Sequence, residues 1–227
     1  MDNDSDVLRE EYRIRFAKKE RYRNEVWRIL CNEYFRKFVF PDAHVLDLGS
    51  GWGEFINNIE AAKKYAMDLN PDAGIMASKE IRFLHQDCAE AWDIHTESLD
   101  IVFTSNFLEH LHDKSRVERA ISEAYRCLRK GGLLICLGPN VKYIPGAYWD
   151  FWDHYIPITE QSIAELLRLK GFDIHLNVPR FLPYSMSSGR DSPLILVKLY
   201  LKLPIFWRFF GKQFLVIGKK ITSADTR

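Results

Sequence analysis

Cysteine is scarce in this chain of 227 residues, with four in all: Cys31, Cys88, Cys127 and Cys136. None has C-x-x-C spacing, which speaks against both a zinc ribbon and a disulfide framework. A free cysteine in an apolar pattern acts as a small hydrophobe, so a reducing, cytoplasmic setting is expected. Net charge is also lacking: the formal total is +1, and no global pull toward nucleic acid follows from it. Long apolar runs are missing too. The nearest, Leu194–Phe210, is interrupted by Lys198, Lys202, Pro204 and Arg208, so no spanning helix is expected. The first residues are charged rather than apolar, and no signal peptide is expected. Internal repeats and low-complexity segments are absent from the sequence.

What remains is an ordinary globular balance, 47% apolar against 28% charged, enough to bury a core without staples. Residues 6–38 carry apolar side chains at roughly helical spacing and read as an N-terminal helical extension covering 1–40. Its charge is uneven. Residues 2–11 are acidic, whereas 12–23 are basic through Arg13, Arg15, Lys18, Lys19, Arg21 and Arg23. The plain reading of that stretch is a solvated helix face. From residue 41 to 227, short apolar runs alternate with helical patterns. Strands are expected at His44–Leu48, Lys64–Leu69, Ile81–His85, Leu99–Ser105, Leu133–Leu137, Phe172–Val178 and Gln213–Lys219. Helices are expected at Glu54–Ala62, at Lys114–Leu128 with Gly131 and Gly132 as its stop, and at Thr159–Lys170 with Thr159 as N-cap. Such alternation predicts a mostly parallel α/β sheet with helices on both faces. Ligands of these sheets bind beyond the carboxyl ends of the strands, so the chemistry belongs just after each strand.

The first strand runs into Asp47-Leu48-Gly49-Ser50-Gly51-Trp52-Gly53. Glycines there let the backbone turn sharply and come close to a ligand. A dinucleotide fold calls for G-x-G-x-x-G, whereas Glu54 and Phe55 follow Gly53 here, which disfavours a nicotinamide-dependent dehydrogenase. Asp47 beside the loop would repel a pyrophosphate but suits an ammonium-bearing group. The second strand ends at Asp68-Leu69, and an acid at this position can accept both hydroxyls of a ribose. The third ends at Asp87-Cys88, where the acid can accept an exocyclic adenine amine or cap a turn. The fourth ends at Ser105-Asn106, followed by Phe107-Leu108-Glu109-His110-Leu111.

In their order and spacing these motifs resemble the class I S-adenosylmethionine-dependent methyltransferases. Leu128 to Gly132 matches that family's L-R-x-G-G turn, and Leu167 to Phe172 its late helix and G-F element. The resemblance spans about residues 40–178 and implies a Rossmann-like, seven-stranded, mostly parallel sheet with one antiparallel edge strand. It implies S-adenosylmethionine as cofactor, held by Asp47, Gly49, Ser50, Gly51, Gly53, Asp68, Leu69, Asp87, Cys88, Ser105 and Asn106. The amino-methylating N-P-P-[YF] signature is missing after the fourth strand, so a nucleic-acid substrate is not expected.

Methyl transfer needs the acceptor held in line with the breaking bond, and a base helps when the acceptor is a hydroxyl. His110 and His154 are the catalytic candidates; no metal is expected. The segment Tyr143–Tyr155 is rich in aromatic side chains, which suit a lid or a sugar-binding wall. Residues 179–212 are an insertion carrying Arg180, Arg190, Lys198, Lys202, Arg208 and Lys212 among apolar residues. It is expected to cap the site or bury a dimer interface, with peripheral membrane contact through 191–212 also open. More loosely, the chain resembles methyltransferases of surface-polysaccharide assembly, implying O-methylation of a sugar or glycan precursor. A quinone, lipid or other small metabolite is the competing acceptor, and a non-catalytic nucleoside-binding module the competing class.

Overall fold

A computed structural model describes residues 20–184 and 191–221. The expected helix over 6–19 and Arg190 lie outside the described residues. Helix α1 covers Glu20–Glu33 and is followed by a 3-10 turn at Phe35–Lys37. Strand β1 (His44–Leu48), helix α2 (Glu54–Asn58), strand β2 (Lys63–Asp68), helix α3 (Asp72–Met76) and strand β3 (Ile81–His85) come next. Strand β4 (Leu99–Ser105), helix α4 (Lys114–Cys127), strand β5 (Leu128–Pro139), helix α5 (Glu160–Leu169) and strand β6 (Phe172–Leu182) continue the alternation. Helices α6 (Leu194–Lys202) and α7 (Trp207–Phe210) precede the last strand, β7 (Gln213–Lys220).

The strands form one sheet in the order β3-β2-β1-β4-β5-β7-β6. Strands β1 to β5 pair in parallel, whereas β7 runs antiparallel to both β5 and β6. The antiparallel strand at this edge is therefore β7, one place in from the outermost strand β6. Strand order reverses between β1 and β4, and the switch point opens a crevice above their carboxyl ends.

Alternation along the strands divides the interior in two. Leu46, Leu48 and Val102 face α4 and α5, while Val45, Ile101 and Phe103 face α1 and α2. Helix α4 buries Val117, Ala120, Ile121, Ala124 and Cys127, an i, i+3, i+4, i+7 stripe. Its start is fixed by Asp113, whose side chain accepts the Arg116 N–H at 2.9 Å. Thr159 caps α5 as expected, through a reciprocal box with Ser162 at 3.1 and 3.0 Å. On the other face Trp27 and Phe35 from the N-terminal segment meet Phe55 and Phe103, the last two stacked at 3.7 Å. The described part of that segment thus completes a sheet face.

Four element boundaries, at the end of α4, the start of β5, the end of α2 and the end of β6, depart from the sequence expectation for local reasons. Helix α4 stops at Cys127, and Leu128 already pairs with Leu99. The two glycines fall in a bulge of β5 rather than in a helix cap, with Gly131 at φ +81°. Helix α2 ends at Asn58 because Ile59 turns extended to feed β2. Strand β6 runs on past Pro179, which an outermost strand tolerates because it has no neighbour to bond on one side.

Candidate active site

A cavity of about 310 Å³ opens at the switch point. Of the residues expected from sequence, Asp47, Gly49, Ser50, Gly51, Asp68, Leu69, Asp87, Cys88, Ser105, Asn106, His110 and His154 all line it. Gly53 does not. It sits in the left-handed region at the start of α2, with its N–H donated back to Ser50 O at 2.8 Å.

Backbone and carboxylate shape the floor together. Gly49 has φ +69°, and an added Cβ would stand 2.2 Å from the Phe107 ring, so only glycine fits. The Gly51 N–H donates to Asp68 Oδ2, and the Asn70 N–H to Asp68 Oδ1, both at 2.8 Å. Asp68 thus clamps the glycine loop. It does not cap α3, since the Asp72 N–H is taken by the Asn70 side chain at 3.0 Å. Asp87 accepts the Ala89 N–H and is also paired with Arg116 at 2.5 Å, a partner that the sequence did not reveal. Burial opposes its charge, but these hydrogen bonds and the guanidinium hold the Asp87 carboxyl below its usual range.

The cavity is acidic inside. Burial, and then the charge of Glu54, push Asp47 well above the usual carboxylate range. Burial likewise raises Asp68 and Glu54, against the hydrogen bonds and the Arg23 charge that lower them. Asp47, Asp68 and Glu54 share the wall with two ion-paired arginines, Arg116 on Asp87 and Arg23, which pairs with Glu54 and lies 5.7 Å over the Trp52 ring. A cationic ligand relieves this arrangement, whereas a pyrophosphate would worsen it. The Ser50 hydroxyl in the same wall is buried without a hydrogen-bond partner among the described residues, as a group that a polar ligand completes. Arg23, Trp27, Glu54 and Gln213 line the cavity too, and the sequence offered no motif for them.

At the mouth, the 3-10 turn Leu108–His110 brings Glu109 and His110 against the aromatic loop. The N–H groups of Tyr155 and Ile156 both donate to Glu109 O, at 2.9 and 3.3 Å, and so tie the loop to the end of β4. This sets the His110 and His154 rings edge to face at 4.8 Å. His110 Nδ1 faces Asp153 Oδ2 at 2.9 Å and the Asp153 carbonyl at 3.1 Å. Burial opposes its charged form, yet Asp153 and Glu109 lift the His110 pKa. Glu109 is 2% exposed, and burial pushes its carboxyl up to about 7. The aromatic loop is divided. Tyr148 is fully buried, with its hydroxyl bonded to Ile156 O, while Phe151 lines the cavity. Trp149, Trp152 and Tyr155 are exposed.

The comparisons with known proteins agree with this geometry. Residues 46–136 match the family described as a methyltransferase domain. Residues 46–136 thus carry a methyltransferase domain, in a fold shared with solved S-adenosylmethionine-dependent methyltransferases. Its cofactor is S-adenosylmethionine. A malonyl-[acyl-carrier protein] O-methyltransferase of Methylococcus capsulatus is 31% identical over 150 residues, 58% of this chain and 52% of that protein. The chain thus spans about half the length of the curated relatives it matches. Among solved structures, an S-adenosylmethionine-dependent methyltransferase of Archaeoglobus fulgidus superposes with TM-score 0.66 at 20% identity, covering 90% of this chain and 99% of that one. One of Thermotoga maritima gives 0.63 at 20%, covering 92% and 98%. These likenesses fix the fold of the methyltransferase domain.

The described part of the insertion contributes little to the cavity. Among the described residues of 179–212, Tyr184 alone lines it. Helix α6 instead turns Leu194, Val197 and Leu201 toward the core that contains α1, and Lys202 pairs with Glu33 at 3.8 Å. Its other side, continued by α7, exposes Ile195, Leu196, Leu199, Ile205, Phe206, Phe209 and Phe210. No described helix is long and apolar enough to cross a membrane.

Proposed function

We propose that this chain is an S-adenosylmethionine-dependent enzyme that O-methylates a hydroxyl of a sugar or glycan precursor. The observation that carries the methyl-transfer reading is the buried acidic cavity at the switch point, matched to a cationic cofactor. S-adenosylmethionine supplies a methyl group activated on a sulfonium. The chain's residues do the rest. Asp68 and the glycine loop hold the ribose end, and Asp47 with Ser50 the amino-acid end. Asp87 and Cys88 stand on the adenine side, and Ser105 and Asn106 line the path to the mouth. Asp153 holds the Nδ1 side of His110, which directs its Nε2 to the acceptor, and His154 stands across from it.

The sugar reading is supported by the aromatic loop, in which half-buried Phe151 lines the cavity and Trp149, Trp152 and Tyr155 expose their rings, since flat apolar faces with polar tips suit a pyranose. Incubation with methyl-labelled cofactor and pools of nucleotide sugars or lipid-linked sugars tests it. Label on a sugar is expected; label only on protein or RNA would overturn it. A second reading, methylation of a quinone, lipid or other small metabolite, is favoured by the similarity to a malonyl-[acyl-carrier protein] O-methyltransferase. Mass analysis of the labelled product separates the two.

We infer a membrane surface, rather than a dimer, as the partner of the α6–α7 face. Its exposed apolar side chains are interspersed with Lys198, Lys202 and Arg208, the composition of a helix lying on anionic lipid. Flotation with anionic vesicles and loss of it with neutral ones is expected. A homodimer in solution that buries this face would overturn the inference.

A further inference from the structure

We propose that the cavity mouth is a divalent metal site formed by Glu109, His110 and His154. Its binding stands on geometry alone, and its role in activating the acceptor rests on the O-methylation reading above. One ligand atom from each of the three residues lies within 4.8 Å of the others. Ligands about 2.0–2.2 Å from a common ion stand about 3–4 Å apart; His110 Nε2 to Glu109 Oε1 is 4.0 Å, and the wider set closes on an ion by a small side-chain adjustment.

The surroundings are those of a ligand set rather than of a chance cluster. His110 Nδ1 has two acceptors, the carboxylate and the carbonyl of Asp153, so its proton is fixed there. That leaves Nε2 to offer its lone pair toward Glu109. A histidine oriented by a carboxylate on its far nitrogen is the arrangement metal ligands adopt. The His154 ring is held on Phe151, stacked at 5.1 Å, and edge-on to Tyr148 at 4.8 Å, so it stays in place without an ion. Glu109 is buried, yet among the described residues it has no lysine or arginine ion pair. A buried carboxylate calls for a paired charge or a cation. The main chain at Glu109 is itself fixed by Tyr155 and Ile156, so the two halves of the site are joined whatever the ligation.

Two imidazoles and one carboxylate select a borderline first-row ion such as Zn2+, Mn2+, Fe2+ or Co2+ over Mg2+ or Ca2+, which prefer oxygen donors. Three protein ligands leave positions open toward the cavity. Oxygens of a hydroxylated acceptor fit those positions; the ion lowers the pKa of the hydroxyl it holds, the proton leaves to solvent through the open cavity, and the oxygen takes the methyl as the C–S bond breaks and S-adenosylhomocysteine leaves. His110 and His154 act on the acceptor through the ion in this arrangement.

Cobalt titration of the chelator-treated 227-residue chain tests the site through its visible absorption. Bands saturating at one equivalent are expected. The bands should vanish in His154→Asn and require about 10- to 100-fold more Co2+ in Asp153→Asn, with the circular dichroism spectrum unchanged. No bands at one equivalent, or the same titration in Asp153→Asn as in the wild type, would overturn the site even if His154→Asn failed to fold. Activity separates the two claims. Methylation of a hydroxyl acceptor that persists undiminished in chelator would overturn the role of the ion and leave the O-methylation reading intact. Cobalt binding as expected, with no hydroxyl acceptor methylated under any metal, would overturn that reading and leave the site.

Discussion

Asp68→Asn isolates the clamp on the glycine loop. In the native chain the two carboxylate oxygens each accept one backbone N–H, from Gly51 and Asn70, at 2.8 Å. An asparagine keeps one acceptor and turns its NH2 toward the other N–H. A buried donor left in that way costs about 1–3 kcal/mol. If the loop must adopt the native form to bind the cofactor, that is about 5- to 150-fold in affinity. The ribose also loses an acceptor, so the upper half of this range is expected. Folding is expected to suffer less, because burial raises the Asp68 pKa and the variant no longer buries a charge. Calorimetric titration with S-adenosylmethionine reads the affinity, and urea denaturation reads the stability. Exposed Glu90, changed to Gln, is the control. Wild-type affinity in Asp68→Asn, or an equal loss in the control, would refute the reasoning.

Other perturbations probe separate parts of the account. Gly49→Ala combines a left-handed alanine with a clash against Phe107, together costing about 2–5 kcal/mol, and an unshifted urea midpoint would contradict this. Trp152 is 89% exposed, so Trp152→Ala should change stability by less than about 0.5 kcal/mol while raising the KM for a sugar acceptor; an unchanged KM removes this residue from the acceptor wall. Burial works against the charge of Glu160, but Lys142 at 2.7 Å and Asn140 at 2.6 Å hold its carboxyl below the ordinary 4.5. Its contribution to stability is complete above that value and is lost as pH falls through the depressed one, so Glu160→Gln should flatten acid unfolding in that window only. Phe209→Ser with Phe210→Ser should abolish vesicle flotation without lowering the melting temperature, since both rings are exposed.

The strands were legible because each is a short apolar run closed by Gly, Pro, Asn or Asp. His44–Leu48, Ile81–His85 and Leu99–Ser105 lie where the run lies. The start of β5 was not legible, because Leu128-Arg129-Lys130-Gly131-Gly132 has the composition of a helix stop and joins the sheet only through its pairing with β4. Strand-end residues of the cavity could be read because parallel topology dictates where they gather. The rest depends on distant partners. Arg23 meets Glu54 only because α1 packs over α2, and Asp87 meets Arg116 across the cavity rim. The juxtaposition of Glu109 and His154 depends on two main-chain hydrogen bonds across a long loop, which carry no side-chain signature.

The most direct test of the central claim is a product analysis with methyl-labelled S-adenosylmethionine. The purified chain is incubated with nucleotide sugars and lipid-linked sugars, with and without added Mn2+ or Zn2+. The account predicts S-adenosylhomocysteine release matched by labelled O-methyl sugar. Cofactor that is bound but never turned over, or label confined to nitrogen or to macromolecules, would contradict it.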